Sequence, residues 1–470
     1  KPFIYHGYSY TYLLTGEAPL TITEEALKPL NIYKKPEEDT KGEMDYNLIA
    51  ASYFSKYSFR KYNDDYYFFH PLKKRWMILN HYDDYNILIS LENRNYLRRD
   101  KSQIMDSLQI YLDGLKNEIL DKDLLLFKND KVLNIMTEEV FDFDGTHFIL
   151  RSLNANWYEK DYPKGDYYME KLLNDICGIN EYSGDEEKNR RRDLEIYLGY
   201  MLTEMQKQSG IVLFGKAQNG KSTLARLISK VKGSAFSPRV ASLISDTHYS
   251  SGFYNERILF FDELKPKMVT EEFVSVFNQL LGNSNMSIRP MQREPRSVLT
   301  NFTAIITANE VSSQFFTNRA LLRRIKIMNS MFPVVTNLPP NINFDDELQK
   351  QDNIDWLANH AIRAFIKNDY RIDNLFVDDI KWWLSSNNVI VKKFLTMLKD
   401  DGLVDDKWNM IVDREDFMNI VSQFEDLKKD LKVRKTIDPV YFDEQINIAF
   451  MYVLFTPELS SKDGSVIWRE

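Results

Sequence analysis

Eight consecutive residues, Gly215-Lys216-Ala217-Gln218-Asn219-Gly220-Lys221-Ser222, have the composition of a loop that holds phosphates. Glycines at both ends let backbone N–H groups turn inward onto an anion. The Lys221 ammonium can neutralise terminal phosphates, and the Ser222 hydroxyl can hold Mg²⁺. An apolar, strand-like run from Ile211 to Phe214 precedes the loop, and a helix-like stretch beginning at Thr223 follows it. The expected ligands are ATP, or another nucleoside triphosphate, and Mg²⁺, with Gly215 through Thr223 as contacts. An accidental glycine-lysine turn is the plain alternative, and it leaves the preceding strand unexplained.

Downstream, Arg257-Ile258-Leu259-Phe260-Phe261-Asp262-Glu263 reads as a buried strand ending in two carboxylates. Strand ends in parallel sheets open onto the ligand crevice, so Asp262 is expected to hold Mg²⁺ and Glu263 to orient and deprotonate the attacking water. A strand that merely finishes in a solvated turn competes with that reading. A third run, Phe302 to Ala308, ends at Asn309, whose amide can hydrogen-bond the γ-phosphate or the water; an asparagine capping a turn is the competitor. Between these strands, Met286 to Arg296 reads as a hairpin with a proline-bounded basic tip. It presents Arg293, with Arg289 and Arg296 beside it, to the phosphates of a DNA strand, against the alternative of arginines that meet only water. Arg323-Arg324 stand before the apolar alternation Ile325 to Met328. A guanidinium there can reach the γ-phosphate held by a neighbouring copy, and Arg324 is favoured as that finger.

Positioning these groups takes an α/β framework. Residues 200–330 alternate apolar β-rich runs with helical stretches, the mark of a parallel central sheet between helices. Before it, an α+β domain is expected over 1–100, with a hairpin across Tyr66 to Leu79, and a mainly helical collar over 101–195 that serves oligomerisation. Within the collar Leu124 to Asp144 reads as strand and turn. The nucleotide-binding domain spans 196–335, a helical connector 336–379, and a winged-helix-like DNA-binding domain 380–470. Phe332 to Asp346 reads as a boundary loop and Asn353 to Ile366 as a helix. The acid pairs Asp64-Asp65 and Asp83-Asp84 are expected in solvated turns rather than in catalysis.

At 470 residues the chain has room for about three domains. Its one cysteine, Cys177, excludes an internal disulfide framework, suits a reducing cytoplasm, and reads as a small buried apolar residue. The longest apolar candidate, Ile446 to Phe455, is too short to span a membrane, so no membrane association is expected. A net charge of −8 argues against a uniformly basic surface but leaves room for basic patches, among them Lys428 to Lys435, expected to bind duplex DNA.

Taken in order, GKAQNGKS, ILFFDE, SIRPMQREPR, AIITANE and LLRRIKI resemble superfamily 3 helicases of the AAA+ class, in the phage, plasmid and poxvirus primase-helicase branch. FKNDKVLN and EIYLGYMLTEMQKQSGIVLFGKAQNGKST are similar to the collar and core of that branch, so the resemblance covers roughly residues 100–330. Within it, the chain looks most similar to the replication initiator helicases of staphylococcal pathogenicity islands. The resemblance implies an AAA+ P-loop ATPase core, a homohexameric ring, 3′ to 5′ translocation on single-stranded and forked DNA, and a C-terminal winged helix that recognises the element's own origin duplex. It implies nucleotide and Mg²⁺ binding by Lys221 and Ser222, metal and water roles for Asp262 and Glu263, sensing by Asn309, a finger at Arg324 and DNA contact by Arg293. Many members place a lysine at the hairpin tip where this chain has Gln292-Arg293, and no linked primase is legible. A helicase loader or an ATP-regulated origin-binding protein, neither of which unwinds DNA, is the alternative function.

Overall fold

The computed structural model describes residues 4–5, 8–9, 45–79, 82–92, 96–180, 183–217, 219–245, 252–253, 256–289, 295–300, 302–312, 314–317, 319–330, 343–400, 402, 404 and 449. The chain forms two compact units, one of residues 1–121 with 143–150, the other of 122–142 with 151–470.

In the first unit, helix α1 (Tyr46–Lys56) leads into three strands, β1 (Phe59–Tyr62), β2 (Asp65–His70) and β3 (Arg75–Ile78), and two helices, α2 (Tyr82–Ser90) and α3 (Arg98–Asp113). The strands pair antiparallel in the order β1-β2-β3, and the expected hairpin is β2 with β3. Ile104, Leu108 and Leu112 stand four residues apart on α3, so one stripe of the helix packs with Phe59, Phe68 and Leu88 in the core. The two acids of Asp64-Asp65 part company. Asp64 sits in the turn at φ 61°, but Asp65 opens β2 and is fully buried, which corrects the expectation of a solvated pair. Asp83 and Asp84 occupy the first turn of α2, where carboxylates favour the helix dipole.

The second unit begins with β4 (Leu124–Phe127), β5 (Lys131–Asn134), β6 (Val140–Asp142) and β7 (Ser152–Leu153), a four-stranded sheet in the order β6-β5-β4-β7. Strands β4 to β6 lie in the stretch Leu124 to Asp144 that reads as strand and turn within the collar, and Leu124–Phe127 is apolar and buried at every position. Helices α4 (Tyr167–Cys177) and α5 (Asp185–Leu202) follow. Cys177 is buried at the end of α4, and burial pushes its thiol up to about 12, so it stays an inert core residue.

A five-stranded parallel sheet forms the centre of this unit. Its strands are β8 (Gly210–Phe214), β9 (Ala235–Phe236), β10 (Ile258–Phe261), β13 (Thr303–Ala308) and β14 (Ile325–Asn329), in the order β9-β10-β13-β8-β14. Strands with helices on both faces are buried all along, and β8, β10, β13 and β14 are buried at every position. Alternation sorts the side chains: Val212, Leu259 and Ile306 enter one core with α7 (Glu271–Leu281), whereas Ile211, Phe260 and Ile305 enter another with α5, α6 (Lys221–Lys232) and α9 (Gln351–Lys367). Between β10 and β13 lies the antiparallel hairpin β11 (Asn285–Ile288) with β12 (Arg296–Leu299). Met286, Ile288 and Val298 anchor it in the first of these cores.

Short helix α8 (Arg319–Arg324) runs directly into β14. Helices α10 (Val377–Asn387) and α11 (Val389–Asp400) follow. The rest of the expected winged helix, with Lys428 to Lys435, lies outside the described residues. Among the described residues no helix is long and apolar enough to cross a membrane.

Candidate active site

The loop after β8 takes its shape from two backbone features. Gly220 adopts φ 84° at the N-cap of α6, a conformation that favours glycine, and a Cβ there would come 2.8 Å from Leu172 Cδ1 and displace that methyl. Gly215 N–H donates to Ala308 O at 3.0 Å, which ties the loop's start to the end of β13. Its far side is tied to β14. The buried Asn219 amide donates to Ser330 Oγ at 2.9 Å and to Ser330 O, while Ser330 N–H donates to Phe214 O at 2.7 Å.

Lys221 is the first residue of α6, at the positive end of the helix dipole. Its Nζ donates to Gly215 O (2.8 Å), Lys216 O (2.7 Å) and Asn219 Oδ1 (2.8 Å). Burial pushes the ammonium down to about 8, against the opposing pull of the Glu263 charge. A cation held only by neutral oxygens at a helix N-terminus is a strong attractor for an anion, and those oxygens release it at small cost.

Next along the helix, Ser222 Oγ donates to Asp262 Oδ1 at 2.6 Å. This joins α6 to the end of β10. A residue that sequence reasoning missed completes the arrangement: Thr307, on β13, donates from Oγ1 to Asp262 Oδ1 at 2.8 Å and accepts from Glu263 N–H at 2.9 Å. Its own carbonyl accepts from Leu264 N–H at 2.9 Å, so one buried threonine fixes both acids. Its signal in the sequence was faint, a lone hydroxyl in the apolar run Ala304 to Ala308. Glu263 stands at φ 50°, an uncommon conformation for a non-glycine residue, and its side chain is exposed. Ser222 and Asp262 suit Mg²⁺, which takes one or two protein oxygens and completes its shell with substrate phosphates and water.

Register explains why these groups meet. Phe214 pairs with Ala308 and Phe261 with Ile306, so Gly215 leaves its strand level with Asn309, and Asp262 leaves beside Thr307, two residues earlier. Asn309 is exposed there, as are Lys216 and Ala217, and Thr223 is half-buried on α6. Beyond the acids and Asn309 lies an open cavity of about 740 Å³, lined among others by Thr270, Glu271, Glu310, Ser312 and Trp383.

The remaining expected residues stand apart. Arg324 donates from Nη1 to Asn278 Oδ1 (2.9 Å) and Asn278 O (3.2 Å), which ties it to α7 of its own subunit, while its neighbour Arg323 is exposed. Burial, with Arg323 beside it, lowers the Arg324 guanidinium from its usual range. Arg289 is exposed at the end of β11; Arg296 begins β12, and Gln218 and Arg293 lie outside the described residues.

A family model described as a family of unknown function (DUF5906) matches residues 213–324, the stretch that contains the loop, both acids, the hairpin, Asn309 and Arg324. No curated protein matches the chain. Among solved structures it is similar to the A-form apo structure of the NrS-1 C-terminal region, with 10% identity over 86% of this chain and 89% of that one and a TM-score of 0.39. A second apo structure of the NrS-1 C-terminal region gives 12% identity over 77% of this chain and 84% of that one, with a TM-score of 0.40.

Proposed function

We propose that this chain is an ATP-driven DNA helicase that assembles as a ring, most simply a hexamer, and initiates replication of a mobile element. The observation that carries the nucleotide part is the Ser222–Asp262 hydrogen bond of 2.6 Å beside the carbonyl-held Lys221. It puts a hydroxyl, a carboxylate and a cation where a strand-loop-helix would present them to a triphosphate and Mg²⁺. The parallel sheet, with β8 between β13 and β14, sets the loop beside the strand that leads into Asn309.

In this reading Lys221 exchanges its carbonyl partners for phosphate oxygens, and Ser222 and Asp262 hold Mg²⁺, which neutralises charge on the phosphates when bound. Glu263, held by Thr307 through its backbone, takes the proton of the water that attacks the γ-phosphorus, and ADP and phosphate leave. Asn309 hydrogen-bonds the γ-phosphate side. Coupling to DNA follows from chain order, since β12 ends at Leu299 and β13, which carries Thr307 and leads into Asn309, starts at Thr303. The basic hairpin is thus the segment feeding the sensing strand, and its arginines are read as DNA contacts. Translocation from 3′ to 5′ and origin binding by the C-terminal region rest on the family resemblance.

The test is strand displacement on forked DNA. The full chain should release the displaced strand with ATP, and Arg293→Ala should keep ATP binding while losing displacement. ATP hydrolysis without displacement by the unaltered chain would instead favour a loader.

A further inference from the structure

The residues that would face the terminal phosphate all lie toward β10 and β13: Asp262, Glu263 and Asn309 follow those strands, and Lys221 and Ser222 turn toward them. With its γ-end over β10 and β13, a triphosphate in the loop is read as sending its sugar and base away from the acids, past the end of β8. Helix α10 lies against the ends of β14 and β8 there, and its Trp383 reaches the cavity beyond Asn309.

Helix α10 is fixed there by a buried ion pair. Arg190, on α5, donates from Nε and Nη2 to both carboxylate oxygens of Asp379 at 2.7–3.0 Å, and Asp379 Oδ2 also accepts from Asn329 N–H, the last residue of β14, at 3.0 Å. Trp382 stands three residues after Asp379 and therefore on the same helix face. Its indole lies over the Phe214 ring, with centroids 6.1 Å apart and planes 22° from parallel. Phe214 is 5% exposed, whereas Trp382 is 42% exposed, among the large apolar side chains of the chain left open to solvent. One face of the indole is therefore backed by the residue that immediately precedes Gly215, and the rest of the ring system is open to solvent.

We propose that Trp382 is the base platform of the nucleotide site, and that it selects by ring stacking, so that purine triphosphates are preferred over pyrimidine ones without discrimination between adenine and guanine. The inference rests on the triphosphate reading given above. A flat, polarisable ring stacks on any nucleobase in proportion to overlap, which is larger for a bicyclic base, and stacking alone carries no hydrogen-bond code to tell one purine from another. Phe214 beneath and Asp379 one turn back hold the indole in place before the nucleotide arrives, so little ordering cost falls on binding.

The experiment is calorimetric titration of the full chain with Mg·ATP, Mg·GTP, Mg·UTP and magnesium tripolyphosphate, repeated for Trp382→Ala, Trp382→Phe and Lys221→Ala. Trp382→Ala should weaken ATP and GTP by about tenfold, weaken UTP less, and leave tripolyphosphate unchanged, while Trp382→Phe keeps most of the purine affinity. Equal ATP affinity in Trp382→Ala, or an equal loss for tripolyphosphate, would overturn the platform. If the unaltered chain and Lys221→Ala bind tripolyphosphate alike, the phosphate loop itself is misread, a result separable from the first because it leaves Trp382 out of the comparison.

Discussion

Helix α6 begins and ends on a buried lysine that donates to two backbone carbonyls, and the two differ in their third partner and in the charges around them. Lys221, at the N-terminus, is held by two backbone carbonyls and one amide oxygen, with no carboxylate in contact. Lys232, at the C-terminus, donates to Leu202 O, Thr203 O and Glu204 Oε1, and the same Glu204 accepts ion pairs from Arg257 and Arg151. These cations hold the Glu204 carboxyl far below its usual range despite the burial that would raise it. The helix dipole favours a cation at the Lys232 end and opposes one at the Lys221 end. The difference separates a charge paired within the fold from one available to the proposed function: Lys232 is matched by a carboxylate, whereas Lys221 is left with neutral partners at the edge of the sheet where Asp262 and Glu263 emerge.

Glu204→Gln should break the structural end. With two buried cations and a third partly buried, and no carboxylate among them, the loss is expected to be about 3–5 kcal/mol in urea unfolding, with ATP turnover per folded molecule unaltered. Thr307→Val acts at the other edge. It keeps the shape of the side chain but releases Asp262 and the Glu263 N–H, so ATP turnover should fall by about 10–100-fold with only a small change in melting temperature. An unchanged rate would remove Thr307 from the site.

The smallest effect is on pH dependence. Lys221 holds its proton less tightly folded, at about 8, than unfolded, at 10.5. Between those values the unfolded chain carries a proton that the folded chain has shed, so the destabilising contribution of Lys221, present below about pH 8, is relieved as pH rises. The stability gained by Lys221→Met over the unaltered chain should therefore shrink from about pH 7 to about pH 10. A gain that widens would show that the ammonium is better satisfied in the loop than its partners indicate.

The parts of this site that were legible in the sequence are local. Strand, loop and helix around Gly215 to Ser222 follow each other without interruption; the run ending at Asp262 is apolar at every position of its strand, and the run ending at Asn309 is buried throughout and apolar except at Thr303 and Thr307. What escaped depends on contacts between distant segments. Thr307 meets Asp262 only because β10 and β13 are neighbours, and Asn219 meets Ser330 only because β14 lies beside β8. Composition misled at Asp65, where a turn-like acid pair straddles the start of a strand. At Arg323-Arg324 helical rotation, which the chain order does not display, turns one arginine to Asn278 and leaves the other exposed.

Phosphate release from Mg·ATP by the full chain, measured beside Lys221→Ala, tests the central claim most directly. The account predicts steady release by the unaltered chain and a fall of about two to three orders of magnitude in the variant, with its melting temperature kept. Release by Lys221→Ala within about twofold of the unaltered chain would contradict it.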